Sequence, residues 1–391
     1  MTERSVVVTG LAMMSAGGND EKEFTDHARN GFCGIRRTDL FPTDKLRTDF
    51  FGQLSRDYVY EVHTLEEKSR TECIFRDLAD QLLADAGITA DDIREMGGKA
   101  AFSMATSVGV NDYITAHVNG TLRESLARSN IYTMPESLGI RGAVYVNTSA
   151  CAAGTTAIGT AYSLIRSGEA DLVIAGGIDP LTEFSSYGFH SLRNLSGRPC
   201  RPFDRNRDGI TLGEGGALFV VEDRESARKR GAKIRAEILG YGLGNDAYHP
   251  TSPDPTGQGA CRVMEQAIEQ AGISEKMIDY VNAHGTGTVI NDDMEVKALD
   301  LLGAECTVTS TKSQIGHCLA AAGAIEFAAT ILSMEKEEIY PVLNLTDPIP
   351  LGKDQEYVIG QTEHRKIRYA MSNSFAFAGN AASVVIGRGE S

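Results

Sequence analysis

No run of about 18 consecutive apolar residues occurs in the 391-residue sequence, so no membrane-spanning helix is expected. Met1-Thr-Glu-Arg-Ser passes straight into Val6-Val-Val-Thr-Gly without an apolar leader, and no low-complexity tract follows. Positive charge is scarce. The 38 Lys and Arg face 53 Asp and Glu, a net charge of −15, which argues against a general nucleic-acid binder. An acidic partner must therefore dock on a local basic patch. The seven cysteines (33, 73, 151, 200, 261, 306 and 318) contain no C-x-x-C pair, so neither a zinc site nor a disulfide framework is suggested. That usage fits a reducing cytoplasm. Gly287-Thr288 is not followed by G-x-x-x-x-G-K-[ST], which removes a phosphate-loop reading.

What is present is enough for a large core: 42% of the residues are hydrophobic, in a chain too long for one simple core. Apolar runs at Ser5–Thr9, Lys99–Met104, Ala143–Val146, Asp171–Ile174 and Ala217–Val221 read as strands. Helical patterns cover 20–34 and 64–87, with Gly87 as a stop. A second series follows: strands at Lys233–Leu239, Tyr280–Asn282 and Cys306–Thr309, with helices at 257–271 and about 291–303. This alternation predicts α/β layers. The order of parts repeats. A strand, a turn with Cys151 and a helix of small residues recur as Val308-Thr-Ser, a turn with His317, and Leu319-Ala-Ala-Ala-Gly. Gly213-Glu-Gly-Gly-Ala-Leu-Phe-Val-Val-Glu222 recurs as Ala378-Gly-Asn-Ala-Ala-Ser-Val-Val-Ile-Gly387. Two copies of one unit, residues 1–235 and 236–391, are expected, with His317 in the place of Cys151; chance similarity of strand–helix units is the alternative.

Cys151 stands where a helix begins, behind the cap-type residues Thr148 and Ser149. Unpaired N–H groups and the positive end of the helix dipole favour a thiolate there. A buried structural cysteine is the competing reading. His284, in Val281-Asn-Ala-His-Gly-Thr-Gly-Thr288, follows a strand and precedes two glycines and two threonines, Thr286 and Thr288. A lone histidine of this kind is more often structural. His317 sits at a helix start, where the dipole favours neutral imidazole, with Lys312 five residues before it.

Together with Val6-Val-Val-Thr-Gly-Leu-Ala-Met-Met-Ser, Thr148-Ser-Ala-Cys151, Arg201-Pro-Phe-Asp-Arg-Asn-Arg-Asp-Gly, Asn291-Asp-Asp-Met-Glu295, Lys312-Ser-Gln-Ile-Gly-His317 and Ser372-Asn-Ser-Phe-Ala-Phe377, these motifs resemble the elongating, decarboxylating β-ketoacyl-acyl-carrier-protein synthases. The resemblance spans nearly the whole chain. It implies a thiolase-like, five-layered αβαβα fold of two duplicated halves. It implies that Cys151 takes an acyl group from a carrier protein, and that the N–H groups of Cys151 and Phe377 form an oxyanion hole. It further implies that His284 and His317 stabilise the enolate left when malonyl loses CO₂, and that Lys312 pairs with Glu295 to hold the local charge. Two histidines set this type apart from starter-unit synthases, which use His and Asn, and from thiolases, which use a second cysteine. No cofactor is implied beyond the phosphopantetheine of an acyl carrier protein, docking through Lys68 and Arg70, with Arg201, Arg205 and Arg207 as further candidates. A homodimer is implied, a heterodimer with a second ketosynthase-like subunit being the other option. Two departures stand out. The family's Gly-Phe-Gly-Gly gate reads Ala376-Phe377-Ala378-Gly379, and the segment between Gly109 and Cys151 is short, with Pro135 as its only proline. They point toward a dedicated polyketide- or polyene-like pathway rather than housekeeping elongation. A malonyl-carrier decarboxylase or acyltransferase without C–C bond formation, and a non-catalytic partner subunit, are the rival functions.

Overall fold

The computed structural model describes residues 4–64, 66–123 and 131–389. Among the described residues the main sheet has eleven strands: β1 (Val6–Ser15), β2 (Ala100–Ala105), β3 (Val144–Asn147), β4 (Leu172–Asp179), β5 (Gly215–Asp223), β6 (Ala236–Asn245), β7 (Tyr280–Asn282), β8 (Thr307–Thr309), β9 (Glu356–Tyr357), β10 (Tyr369–Phe375) and β11 (Asn380–Arg388). The order across the sheet is β9-β8-β7-β10-β11-β6-β1-β5-β4-β2-β3. From β1 outward the pairings run antiparallel, antiparallel, parallel, parallel to β3. From β6 outward they run antiparallel, antiparallel, parallel, parallel to β8. Each half is thus the same five-stranded unit. The two join where Val6–Val8 pair with Ala236–Ile238.

Five helices complete the layers: α1 (Arg70–Ala86), α2 (Ala153–Ser167), α3 (Gln258–Ala271), α4 (Val289–Leu302) and α5 (Ala322–Lys336). α1 covers β1 and β5 on one outside, and α3 covers β6 and β11 on the other, with α4 packed on α3. α2 and α5 touch strands of both halves and each other, so they form the middle layer. The sequence explains that position. Every residue of α5 from Ala322 to Met334 is buried, which a helix of small and apolar residues permits. Gly154 and Gly323 make the crossing possible. A Cβ on Gly154 would lie 2.6 Å from the Ala324 nitrogen, and one on Gly323 2.7 Å from the Thr155 nitrogen.

Several boundaries differ from expectation. β1 does not stop at Gly10 but runs to Ser15, with a bulge between Val8 and Gly10. Glycine is needed there for close approach, since a Cβ would come within 2.7 Å of the Ala86 Cβ of α1. α1 starts at Arg70 rather than 64 because Ser69 and Glu72 form a capping box, and it ends at Gly87 in the left-handed conformation, as expected. The first helix covers only Glu21–Arg29. The short 110–140 segment holds a helix at Asn111–Val118 and another at Met134–Ser137, with Pro135 buried in the latter; residues 124–130 of it lie outside the described residues.

Candidate active site

A shallow chamber of about 80 Å³ opens where the two halves meet, and Cys151, His284, His317, Phe375 and Phe377 line it together. Thr286 and Thr288 also face it. The elements that deliver these side chains explain why they converge. Cys151 lies on a single 3₁₀ turn, Ala150–Ala152, between β3 and α2. Ala150 is forced to φ +50°, a conformation that costs an L-residue roughly 1–2 kcal/mol and that tight turns at functional sites tolerate. The expected cap is absent: Ser149 makes no capping bond, and its hydroxyl donates to Thr156 Oγ1 at 3.2 Å.

The C-terminal half has the same turn at a constant offset of 169 residues. Leu319–Ala321 is a 3₁₀ turn before α5, Leu319 has φ +51°, and Glu337 ends α5 left-handed where Gly168 ends α2. The counterpart of Cys151 is therefore Ala320, not His317. His317 sits three residues earlier, opposite Thr148, because a short helical turn at Lys312–Ile315 is inserted after β8. Its backbone is pinned by an N–H bond to the Thr211 carbonyl at 2.7 Å and by the Gly213 N–H at 3.0 Å.

Both imidazoles are fixed in one tautomer. The Lys312 ammonium has only protons to give. It donates to the His284 carbonyl at 2.6 Å and to His284 Nδ1 at 3.2 Å, so Nδ1 accepts and the proton resides on Nε2. The Leu319 N–H donates to His317 Nδ1 at 3.2 Å, with the same result. The rings lie edge to face, 5.3 Å between centroids. Burial, with the Lys312 charge nearby, holds both well below the usual histidine range. The site therefore offers two neutral Nε2–H donors. Apart from the Cys151 N–H turned toward its own sulfur, the Cys151 and Phe377 backbone N–H groups bond no other residue among those described, which leaves a second pair of donors within reach of the chamber.

Further expectations need correction. Lys312 does not pair with Glu295; its partner is Glu326, a buried carboxylate on α5. Glu295 instead accepts the His284 and Gly285 N–H groups at 2.7 and 2.8 Å, and Asp292, one turn earlier on α4, accepts those of Thr286 and Gly287. Burial raises Glu295 to about 7. The Cys151 thiol is not depressed. Burial pushes it up to about 12, the Lys312 charge working the other way, so it rests as a thiol. Arg70 cannot dock a partner. Its side chain is 2% exposed and forks onto Glu214 at 2.6 and 2.7 Å, because α1 turns this position inward against the core. Arg207 is likewise consumed, at 3% exposure, beside Asp292 and Asp293. Lys68 is exposed, and Arg205 is exposed beside Asp347; Arg201 lies 3.8 Å from Asp204.

Phe377 stacks on Phe189, 5.7 Å between centroids, over the chamber. The two alanines that flank Phe377 are not equivalent. Ala376 is extended (φ −125°), a conformation open to any residue, whereas Ala378 is held at φ +60°. Ala378 is tied down by its N–H to the Pro250 carbonyl at 2.8 Å and by Asn245 Nδ2 on its own carbonyl at 2.7 Å.

Sequence reasoning missed Glu326, Asp292 and Asp179. Glu326 had a signal: it is the only charged residue between Leu319 and Leu332. Such an acid in an otherwise apolar helix must find a partner.

Residues 3–227 match the family described as beta-ketoacyl synthase, N-terminal domain, and residues 235–346 match beta-ketoacyl synthase, C-terminal domain. The chain is 34% identical to the 3-oxoacyl-[acyl-carrier-protein] synthase 2 of Staphylococcus aureus (strain COL), over 98% of each. It is similar in structure to a chain of the ishigamide ketosynthase/chain length factor (TM-score 0.91, 32% identity, 100% of both chains). It is similar also to a chain of AntDE:AntF, a type II PKS acyl-carrier protein in complex with its ketosynthase bound to the hexaketide (TM-score 0.89, 28% identity, 100% of both chains). Matched by both domains of the family across most of its length, the chain belongs to the β-ketoacyl synthase family.

Proposed function

We propose that this protein is a condensing β-ketoacyl-[acyl-carrier-protein] synthase that extends an acyl chain held on Cys151 by two carbons from a malonyl carrier. The observation that carries this reading is the pair of neutral imidazoles, each locked with its proton on Nε2, facing the same chamber as a thiol. In the first step Cys151 Sγ attacks the acyl thioester carbonyl. The new S–C bond forms as the carrier's S–C bond breaks, and the thiol proton leaves with the carrier thiol. The tetrahedral oxygen is held by the Cys151 and Phe377 N–H groups. In the second step the malonyl thioester loses CO₂, and the electron pair moves onto its carbonyl oxygen, which accepts from His284 and His317. Neutral donors suit this step because they stabilise the enolate without protonating it. Its carbon then attacks the acyl-Cys151 carbonyl, and collapse of the adduct breaks the S–C bond and returns the sulfur, which takes one proton from solvent to restore the thiol. On this reading residues 1–235 supply the nucleophile, and residues 236–391 supply the enolate donors and the gate.

An acyl carrier protein is the proposed partner, and its phosphopantetheine brings both substrates; the named ketosynthase complex with a carrier supports this. Lys68 and Arg205 are the docking cations left exposed. A second ketosynthase-like subunit is proposed at the β3 edge, where Tyr145 is 40% exposed on the last strand of the sheet, paired on one side only among the described residues. Among the described residues no helix is long and apolar enough to cross a membrane, in keeping with the proposed cytoplasmic setting. Incubation with malonyl-carrier and a panel of acyl-carriers, followed by intact mass, tests the function. An extended β-ketoacyl product is expected. CO₂ release without extension would make the protein a decarboxylase, and no reaction at all would leave it a partner subunit.

A further inference from the structure

Asp179, at the end of β4, is wholly buried and forms no ion pair among the described residues. Its carboxylate is nevertheless saturated. Oδ1 accepts from Thr106 Oγ1 (2.9 Å) and the Ser107 and Val108 N–H groups (2.8 and 3.3 Å), and Oδ2 accepts the Ala320 N–H at 2.7 Å. Four donors meet the roughly four lone-pair sites of an ionised carboxylate. A buried charge without a counter-ion is costly, so a role in packing alone would be met more cheaply by a neutral side chain.

The position of Ala320 gives the carboxylate its meaning. Ala320 is the counterpart of Cys151, whose N–H bonds no other residue among those described. In the C-terminal turn the equivalent N–H is already filled by a carboxylate oxygen. The adjoining peptide, at Leu319, is the one whose N–H bonds His317 Nδ1, and Leu319 is held at an unfavourable φ of +51°. A strained turn persists only where its surroundings fix it.

We propose that Asp179 is a positioning residue for the condensation: its carboxylate occupies the C-terminal half's counterpart of the oxyanion hole and, by holding the Ala320 N–H, aims the Leu319 N–H at His317 Nδ1, which keeps His317 an Nε2–H donor. This rests on the condensing reading for its catalytic consequence, though not for its geometry. It also accounts for one reaction centre in a duplicated fold, since the second donor is occupied by the protein itself.

Asp179→Asn tests it. The amide oxygen can serve the three donors of the 106–108 loop, which turns the amide NH₂ toward the Ala320 N–H, donor against donor. ¹⁵N-histidine NMR reads the tautomer directly. Wild type should show His317 protonated at Nε2 alone, and Asp179→Asn should show a tautomer mixture at His317 with His284 unchanged. Malonyl-carrier decarboxylation should fall by on the order of 10- to 100-fold, while acyl loading of Cys151 stays near wild type. Thr106→Val, which removes one donor from Oδ1 and leaves the Ala320 bond, should leave the His317 signals and decarboxylation as in wild type. An unchanged His317 tautomer in Asp179→Asn overturns the proposal, and so does an equal loss of both half-reactions in Asp179→Asn and Thr106→Val. If wild type itself fails to decarboxylate, the condensing reading falls, and the NMR comparison still decides whether Asp179 sets the tautomer.

Discussion

The turns at Ala150–Ala152 and Leu319–Ala321 share one backbone and differ in almost every side chain that matters. One carries Cys151 where the other carries Ala320. One has Thr148 where the other has His317, and Ala157 where the other has Glu326, the partner of Lys312. The N-terminal turn is uncharged, and its Cys151 N–H bonds no other residue among those described. The C-terminal turn is surrounded by a buried ion pair, a buried carboxylate and two histidines. Duplication supplied two equivalent positions, and on the function proposed above each half takes one side of the chemistry. The proposed nucleophile lies in one, and the proposed enolate donors lie in the other.

The largest effect should come from removing what only the N-terminal turn has. Cys151→Ala should abolish acyl loading and condensation, and intact mass after incubation with acyl-carrier should show no adduct. An adduct that survives, on Cys318 or Cys200, would move the nucleophile out of this turn. Next is what only the C-terminal turn has. Lys312→Met leaves Glu326 buried and unpaired, and should cost about 3–5 kcal/mol in denaturant unfolding. Adding Glu326→Leu should recover most of that stability, because the uncompensated charge is gone, without restoring decarboxylation. Stability and activity returning together would mean that the pair serves packing alone.

A smaller effect is expected at the gate, where the two halves come together over the chamber. Ala378→Gly should relieve the left-handed strain and stabilise the fold by about 1 kcal/mol, while Ala376→Gly, at an extended position, should not stabilise it. Thermal melts separate the two. Acyl-chain preference should shift with Ala378→Gly. If neither variant differs from the parent across a chain-length panel, selectivity lies elsewhere. The smallest effect belongs to the surface. Lys68→Glu should raise KM for a carrier-bound substrate and leave turnover of a short thioester mimic unchanged, since an exposed rim charge acts mainly on encounter. Arg70→Glu, in contrast, should unfold the protein by setting two carboxylates together in the core.

The parts of this molecule that were legible in the sequence are those where local pattern and tertiary role agree. Strand–helix alternation gave the layers, Gly87 ended α1, and the repeated order of parts exposed the duplication. Cys151, His284, His317 and Phe377 could be placed because each sits in a short motif beside glycine or alanine. What failed depends on tertiary packing that no local motif carries. The partner of Lys312 lies on another helix, α5, whereas Glu295 stands in a motif and is taken up by backbone N–H groups. Arg70 looked like a surface cation until the phase of α1, set by the Ser69 cap, turned it toward Glu214, 144 residues away. The thiol expectation failed because a helix start was weighed without burial, which here is the larger influence. The Cys151–His317 equivalence failed because the inserted turn at Lys312–Ile315 shifts the apparent alignment by three residues.

The division of labour is tested most directly by measuring the two half-reactions separately in His317→Ala. Loading of Cys151 from acyl-carrier, followed by intact mass, should proceed near the wild-type rate. Malonyl-carrier decarboxylation, followed by CO₂ release, should fall by roughly 10²–10³-fold, the loss that accompanies one enolate donor of about 2.7–4 kcal/mol. Equal loss of both half-reactions, or loss of neither, would contradict it.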